Sequence, residues 1–176
     1  MAPEVLHRVI HGQATPEKWQ KDLLKIRPAV LHGYRRHRVR GADYPGIIPV
    51  SSPDESSRTS VLGTLVSGIT DGDIYRLDKF EGSEYSRERV RVRTLRDSAL
   101  LGTSAGQNAK EFETNEQLRE VLDIAGKESL DEGDEVEAVT YVWTAGEERL
   151  EDAEWDFETF KRDKMAWWVG ADESEW

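Results

Sequence analysis

The sequence predicts an α+β fold built on a small, mainly antiparallel sheet or barrel. Two segments alternate apolar and polar side chains with a period of two, which is typical of strands: Tyr85–Leu95 and residues 136–143. Residues 59–66 form a short apolar run that is typical of a buried strand. The helical patterns between these segments are too few and too irregular for the layers of a doubly wound α/β fold.

Short helices are predicted before and between the strands. Residues 3–11 carry apolar side chains at helical spacing, and Gly12 follows where a C-cap glycine is expected. Residues 16–26 begin with a proline that favours a first helical turn, and they predict a helix of one or two turns. Thr70 is a favourable N-cap for a further helix, which Gly82 ends.

The C-terminal part predicts one long acidic helix over about 147–168. Its apolar stripe consists of Leu150, Ala153, Phe157 and Phe160. Residues 110–125 show another helical pattern. Because no internal repeat or linker interrupts the chain, residues 1–176 are predicted to form a single domain, with its core at about 1–143.

The charge balance restricts the classes of partner. The chain has 24 Lys and Arg against 35 Asp and Glu, a formal net charge of −11. An acidic surface disfavours nucleic acid and anionic membranes as partners, so we expect a small molecule or another protein. With no cysteine, disulfide scaffolds, cysteine zinc sites and a thiol nucleophile are excluded. The first 30 residues lack an apolar run typical of a signal peptide, so a cytoplasmic protein is predicted, whose oligomeric state the sequence does not indicate.

Two motifs suggest chemistry that the rest of the chain does not support. Residues 102–106 fit the G-x-S-x-G pattern of serine hydrolases, but every histidine precedes Ser104, whereas in that fold the histidine follows the serine. His7 and His11 have a spacing that can hold zinc on one helix face. They lack the glutamate of the metalloprotease pattern and a third ligand, so no metal site is predicted.

Four arginines alternate along the predicted strand Tyr85–Leu95 and share one of its faces: Arg87, Arg89, Arg91 and Arg93. They predict either an anion-binding stripe or the solvated face of a sheet in an acidic protein. The residues alone leave both interpretations open.

Residues 77–87 place three carboxylates where a helix end opens into a strand. Glu81 follows an apolar helix face and precedes Gly82, so the junction can hold it partly desolvated. Desolvation raises the pKa of a carboxyl toward a value that is useful for general acid/base catalysis. The alternative is a turn carboxylate that accepts hydrogen bonds from nearby backbone N–H groups.

Several strings in this region resemble a known family. They are V-L-G-T-L-V at 61–66, D-I-Y-R-L-D-K-F-E-G at 73–82 and E-Y-S-R at 84–87, with weaker pieces at 31–36, 44–49, 141–143 and 154–157. Together they resemble the gamma-glutamylcyclotransferase-like family, in particular its avirulence-induced-gene-like branch from plants and fungi.

The resemblance implies a compact β-barrel with flanking helices. It also implies an activity that converts a γ-glutamyl amine or peptide into 5-oxoproline and a free amine, with no cofactor or metal. In the family the motif glutamate is the general acid/base, which here is Glu81, and Tyr85, Arg87 and Tyr141 are expected to line the substrate pocket. The alternative function is a non-catalytic binding module on the same fold.

The resemblance further implies a first strand that ends in Y-G-T-L or Y-G-S-L and precedes the position matched by residues 1–6. The loop after that strand supplies backbone N–H donors for the substrate carboxylate and the developing oxyanion. Because the sequence contains no such string at that place, the expectation is a domain that lacks the first strand and shows little turnover in this form.

Overall fold

The computed structural model of the protein describes residues 1–95 and 131–170. In these ranges the strands are β1 (Lys25–His32), β2 (Tyr34–Val39), β3 (Pro45–Pro49), β4 (Ser60–Ser67), β5 (Tyr85–Leu95), β6 (Glu132–Trp143) and β7 (Leu150–Glu151). The helices are α1 (Pro3–His11), α2 (Lys18–Lys21), α3 (Pro53–Ser56), α4 (Asp71–Glu81), α5 (Phe157–Asp163) and α6 (Met165–Gly170). The predicted helix at 110–125 and the G-x-S-x-G string lie outside the described residues.

The strands form two antiparallel sheets, which confirms the predicted α+β class. One sheet has four strands in the order β4-β1-β5-β6, and the other has three in the order β3-β2-β7. In the described ranges β4 pairs with β1 alone and β6 pairs with β5 alone, so these strands do not close into a barrel. The arrangement leaves the inner face of the larger sheet beside a cavity.

The long pairing of β5 with β6 confirms the predicted strand at 85–95. Val90 and Val92 are buried, while Arg89 and Arg91 point to solvent and pair with carboxylates of β6. Arg91 lies 3.1 Å from Glu135. These ion pairs favour the interpretation of a solvated sheet face over an anion-binding stripe, because the arginine charges already have carboxylate partners.

The first residue of β5 departs from the predicted alternation. Tyr85 shares the strand face of the exposed arginines, yet it is half-buried. The physical reason is that the three-stranded sheet covers this end of β5, where the hydroxyl of Tyr85 donates a 2.9 Å hydrogen bond to the carbonyl of Pro45 in β3. Tyr85 therefore faces the interior between the two sheets.

The core consists of two apolar clusters. The first joins the buried face of α1 to α4, with Leu6 and Val9 packed with Leu77. Helix α1 ends as predicted, because Gly12 adopts a φ of 73° and its N–H bonds the carbonyl of Arg8. The second cluster covers the inner face of the larger sheet: Ala29, Leu31, Val90 and Val92.

The prediction of one helix over 147–168 is wrong. Residues Glu147–Arg149 form a 3-10 turn and β7 follows it, paired with β2, so Leu150 and Ala153 are not helical. The first helix of this region begins only at Phe157, because the Asp156 side chain caps it by accepting the N–H groups of the next turn. It ends at Asp163, and α6 follows. In the described parts of the chain, no helix is both long enough and apolar enough to span a membrane.

Candidate active site at the end of helix α4

Local sequence signals position Glu81 at a junction between elements. Thr70 and Asp73 form a reciprocal cap at the start of α4, with hydrogen bonds of 3.0 and 3.3 Å between backbone and side chain. At the other end, Gly82 has a φ of 66° and its N–H bonds the carbonyl of Asp78. Such a φ favours glycine, and it turns the chain out of the helix directly after Glu81.

Glu81 lines a cavity of about 1400 Å³. In the described part of the chain, its carboxyl group has no hydrogen-bond partner. Burial raises the pKa of Glu81 to about 7, and the positive charge of the Met1 amino group opposes this shift. A carboxyl group with this pKa is present in both protonation states near neutral pH, so it can accept a proton and return it.

A second carboxylate, three residues later, has the opposite electrostatics. Glu84 accepts a 2.7 Å hydrogen bond from the hydroxyl of Tyr44 and forms an ion pair with Arg149. The hydrogen bond from Tyr44 is the largest cause that lowers the pKa of Glu84, and Arg149 lowers it further. Two neighbouring carboxylates whose environments separate their pKa values in this way are typical of acid/base sites.

The predicted pocket residues fall into two groups. Tyr85 and Tyr141 line the same cavity as Glu81, whereas Arg87 is outside its lining. Arg87 instead forms a 3.2 Å ion pair with Asp78, and the hydroxyl of Tyr141 donates a 2.8 Å hydrogen bond to the same carboxylate oxygen. In the described residues Arg87 is therefore linked to the cavity through Asp78 and Tyr141.

Burial raises the pKa values of both tyrosines in the cavity. For Tyr141 the hydrogen bond to Asp78 adds to the effect of burial, and for Tyr85 the charge of Glu81 adds to it. Both phenols therefore stay neutral over the physiological pH range. Each already donates its hydroxyl hydrogen to the protein, so these side chains shape the cavity and hold its walls in place.

Other residues around Glu81 were not predicted as site residues. Arg36, Tyr44 and Trp168 also line the cavity. Their sequence signals are weak: Arg36 and Tyr44 lie in short strings that resemble the family only loosely, and Trp168 is next to another tryptophan. Contacts across 40 or more residues, such as Tyr44 with Glu84, leave no local periodicity to detect.

The histidine pair of α1 lies apart from this chemistry. The rings of His7 and His11 stack with centroids 5.5 Å apart, and His7 is buried. Burial, followed by the charges of His11 and Lys21, lowers the pKa of His7 to about 4. Within residues 1–95 and 131–170 no group of three or more His, Asp or Glu side chains is arranged to hold a metal ion.

Comparison with known proteins gives the family. Residues 7–109 match the family described as "Gamma-glutamyl cyclotransferase, AIG2-like". The chain belongs to this family. The matched region of this AIG2-like chain contains Glu81, Tyr85 and Arg87, while Tyr141 lies beyond it.

Curated relatives agree with this assignment. The chain is 28% identical over 134 residues to Protein AIG2 C of Arabidopsis thaliana and 30% identical over 135 residues to Protein AIG2 B of the same plant. These matches cover 76% and 77% of the chain and 56% of each relative, so the chain spans about half the length of the curated relatives it matches. A solution structure of another Arabidopsis thaliana protein is similar at 22% identity and a TM-score of 0.49, over 95% of this chain and 78% of that one.

Proposed function

We propose that this AIG2-like chain carries a gamma-glutamylcyclotransferase site that converts a γ-glutamyl amine or peptide into 5-oxoproline and a free amine. The observation that supports this most directly is Glu81, a half-buried residue whose carboxyl group lies in a cavity, with a pKa of about 7 and no hydrogen-bond partner in the described residues. The family match over residues 7–109 supports the same reaction class.

The proposed reaction needs one group that moves a proton. Glu81 removes a proton from the substrate's α-ammonium, and the free amine attacks the γ-carbonyl carbon of the same molecule. A new C–N bond closes the five-membered ring, and Glu81 returns the first proton to the departing nitrogen as the original amide C–N bond breaks. Glu81 then takes the second proton from the ring nitrogen and passes it to the released amine, which leaves as an ammonium ion. Because the nucleophile belongs to the substrate, correct orientation of the attack supplies a large part of the rate, and the protein needs no nucleophile of its own.

The residues around Glu81 have supporting roles in this proposal. Tyr85 and Tyr141 form walls of the cavity, and the substrate lies against them. Arg87 is a positioning residue, because it contacts Asp78, which in turn holds the hydroxyl of Tyr141. Glu84 stays ionised beside Tyr44 and Arg149 and does not exchange a proton with the substrate.

The direct test is release of 5-oxoproline from a panel of γ-glutamyl dipeptides and γ-glutamyl amines, without added metal. Turnover is expected to be low in this form, and whatever turnover the chain shows should depend on Glu81: Glu81→Gln should lower kcat by at least about a hundredfold, in line with typical acid/base contributions. Glu88→Gln is the matched control, because Glu88 is an exposed glutamate on the neighbouring strand β5, and it should retain activity. Full activity in Glu81→Gln would contradict the proposal.

The panel also separates the enzyme from the binding module considered as the alternative. Saturable binding of γ-glutamyl compounds with no release of 5-oxoproline under any condition would contradict the catalytic proposal. Turnover that depends on Glu81 would support it.

A further inference from the structure

Arg36 of β2 is a cation inside the cavity that contains Glu81. Both residues line this cavity, and only 24% of the Arg36 side chain is exposed to solvent. Its guanidinium carbon lies 5.7 Å from the centre of the Trp155 ring, close enough for a cation–π contact. The arginine is therefore held in place by packing and is partly desolvated.

The guanidinium of Arg36 is poorly neutralised. Its carboxylate partner in the described residues is Glu154, at 3.4 Å, and the Glu154 side chain is 71% exposed. An exposed pair at this distance contributes little. In addition, the Nε of Arg36 is buried and has no hydrogen-bond partner among residues 1–95 and 131–170. A weakly paired guanidinium gains a strong, charge-assisted hydrogen bond when an anion reaches its terminal N–H groups.

Arg36 and Glu81 line the same cavity, and the charges of both act on the amino group of Met1. The amino group of Met1 responds to both: burial is the largest cause that lowers its pKa, the charge of Glu81 raises the pKa and the charge of Arg36 lowers it. A positive and a negative side chain that share one cavity are complementary to a ligand with an ammonium and a carboxylate close together.

We propose that Arg36 binds the α-carboxylate of the γ-glutamyl substrate while Glu81 faces its α-ammonium. This inference rests on the proposed function and adds to it a specificity residue for the free α-carboxyl group. The N–H groups of a planar guanidinium form a fork that matches the two oxygens of a carboxylate. Held at this end, the substrate presents its α-nitrogen to Glu81.

The product, 5-oxoproline, allows a test that does not depend on turnover. It keeps the α-carboxylate and has no ammonium group. The carboxamide of 5-oxoproline has the same ring but no negative charge, so it is the control ligand. Isothermal titration calorimetry of the unmodified protein should give at least about tenfold tighter binding of 5-oxoproline than of the carboxamide, because a charge-assisted hydrogen bond is lost in the amide. Equal binding of the two compounds, or binding of neither, would overturn the inference.

Substitutions identify the residue responsible. Arg36→Gln should weaken 5-oxoproline binding by about tenfold to a hundredfold and should raise KM for a γ-glutamyl substrate more than it lowers kcat. Arg36→Lys keeps the positive charge but loses the forked geometry of the guanidinium. Its affinity for 5-oxoproline should lie between those of Arg36→Gln and the unmodified protein. Arg38→Gln is the matched control, since Arg38 is an exposed arginine of the same strand that pairs with Glu151, and it should leave binding unchanged.

Glu154→Gln separates ligand binding from a structural role of Arg36. If Arg36 serves only its contact with Glu154, this variant should weaken binding as Arg36→Gln does. If Arg36 binds the carboxylate, loss of its exposed partner should leave affinity equal or higher. Carboxylate binding through Arg36 without any release of 5-oxoproline would refute the catalytic proposal and support this inference. Release of 5-oxoproline at an unchanged rate in Arg36→Gln would support the catalytic proposal and refute this inference.

Discussion

The hydroxyl of Tyr141 donates a 2.8 Å hydrogen bond to Asp78, and this contact joins strand β6 to helix α4. Asp78 lies one helical turn before Glu81, so the bond fixes the last turn of the helix that carries the candidate acid/base. Arg87 on β5 pairs with the same carboxylate oxygen at 3.2 Å. The position of Glu81 is therefore determined by two strands as well as by its own helix.

Removal of this hydrogen bond should loosen the site. Tyr141→Phe keeps the ring and deletes the donor, so we expect a loss of about 1 kcal/mol in the free energy of unfolding. Amide hydrogen exchange near the end of α4 should become faster. Tyr75→Phe is the control, because Tyr75 lies on the same helix and is 65% exposed. Unchanged exchange in Tyr141→Phe would show that the contact does not hold the helix end.

Glu81 should make the protein less stable as pH rises. Its folded pKa of about 7 exceeds the ordinary value of 4.5, so the folded state binds more protons between these values and stability falls through this range. Glu81→Gln should therefore be more stable than the unmodified protein by about 3 kcal/mol at pH 8.5 and nearly equal to it at pH 4. Urea unfolding at both pH values measures this difference, and a variant without the gain at pH 8.5 would contradict the burial assigned to Glu81.

His7 should produce the opposite slope. Its folded pKa of about 4 is below the ordinary 6.5, so the unfolded state binds more protons between these values and stability is lost as pH falls from 6.5 to 4. His7→Leu should remove about 3 kcal/mol of that acid-side loss. His32→Gln provides the control, because the His32 side chain is 47% exposed. If the free energy of unfolding falls equally between pH 6.5 and 4 in His7→Leu and the unmodified protein, His7 is not held neutral in the folded state.

The two faces of β5 should respond differently to substitution. Val90→Asp places an unpaired charge in the second apolar cluster, where Val90 is 6% exposed, and should unfold or aggregate the protein. Arg91→Gln removes one exposed ion pair and should cost about 0.5 kcal/mol or less. Circular dichroism and light scattering of the two variants compare them directly, and similar behaviour would show that the faces are assigned wrongly.

Local signals predicted much of this structure. The alternation in β5 identifies its buried valines, and the pair Thr70 and Gly82 gives both ends of α4, because caps and strand faces depend on neighbouring residues. The helix predicted over 147–168 was wrong because pairing of β7 with β2, more than 100 residues earlier, overrides the helical spacing of its apolar side chains.

In the candidate site too, features set by neighbouring residues could be predicted, and features set by distant contacts could not. The position of Glu81 at a helix end before a glycine could be predicted, since it depends on adjacent residues, whereas its role as the acid/base came from the family resemblance and stays a prediction. Arg36 and Tyr44 could not be predicted from a pattern, because they reach the cavity through the packing of the smaller sheet. Arg87 pairs with Asp78 and is not among the residues that line the cavity, a contact that no local pattern indicates, and its role at the site stays a prediction.

In water a histidine keeps its proton to a higher pH than a glutamate does, and this protein reverses that order. Between about pH 4.5 and 6.5, His7 is neutral without its proton while Glu81 is neutral with one. The two residues therefore change the stability in opposite directions over the same range, and their effects largely cancel. A stability profile of the unmodified protein should look nearly flat there, and each titration should become visible only when the other residue has been replaced.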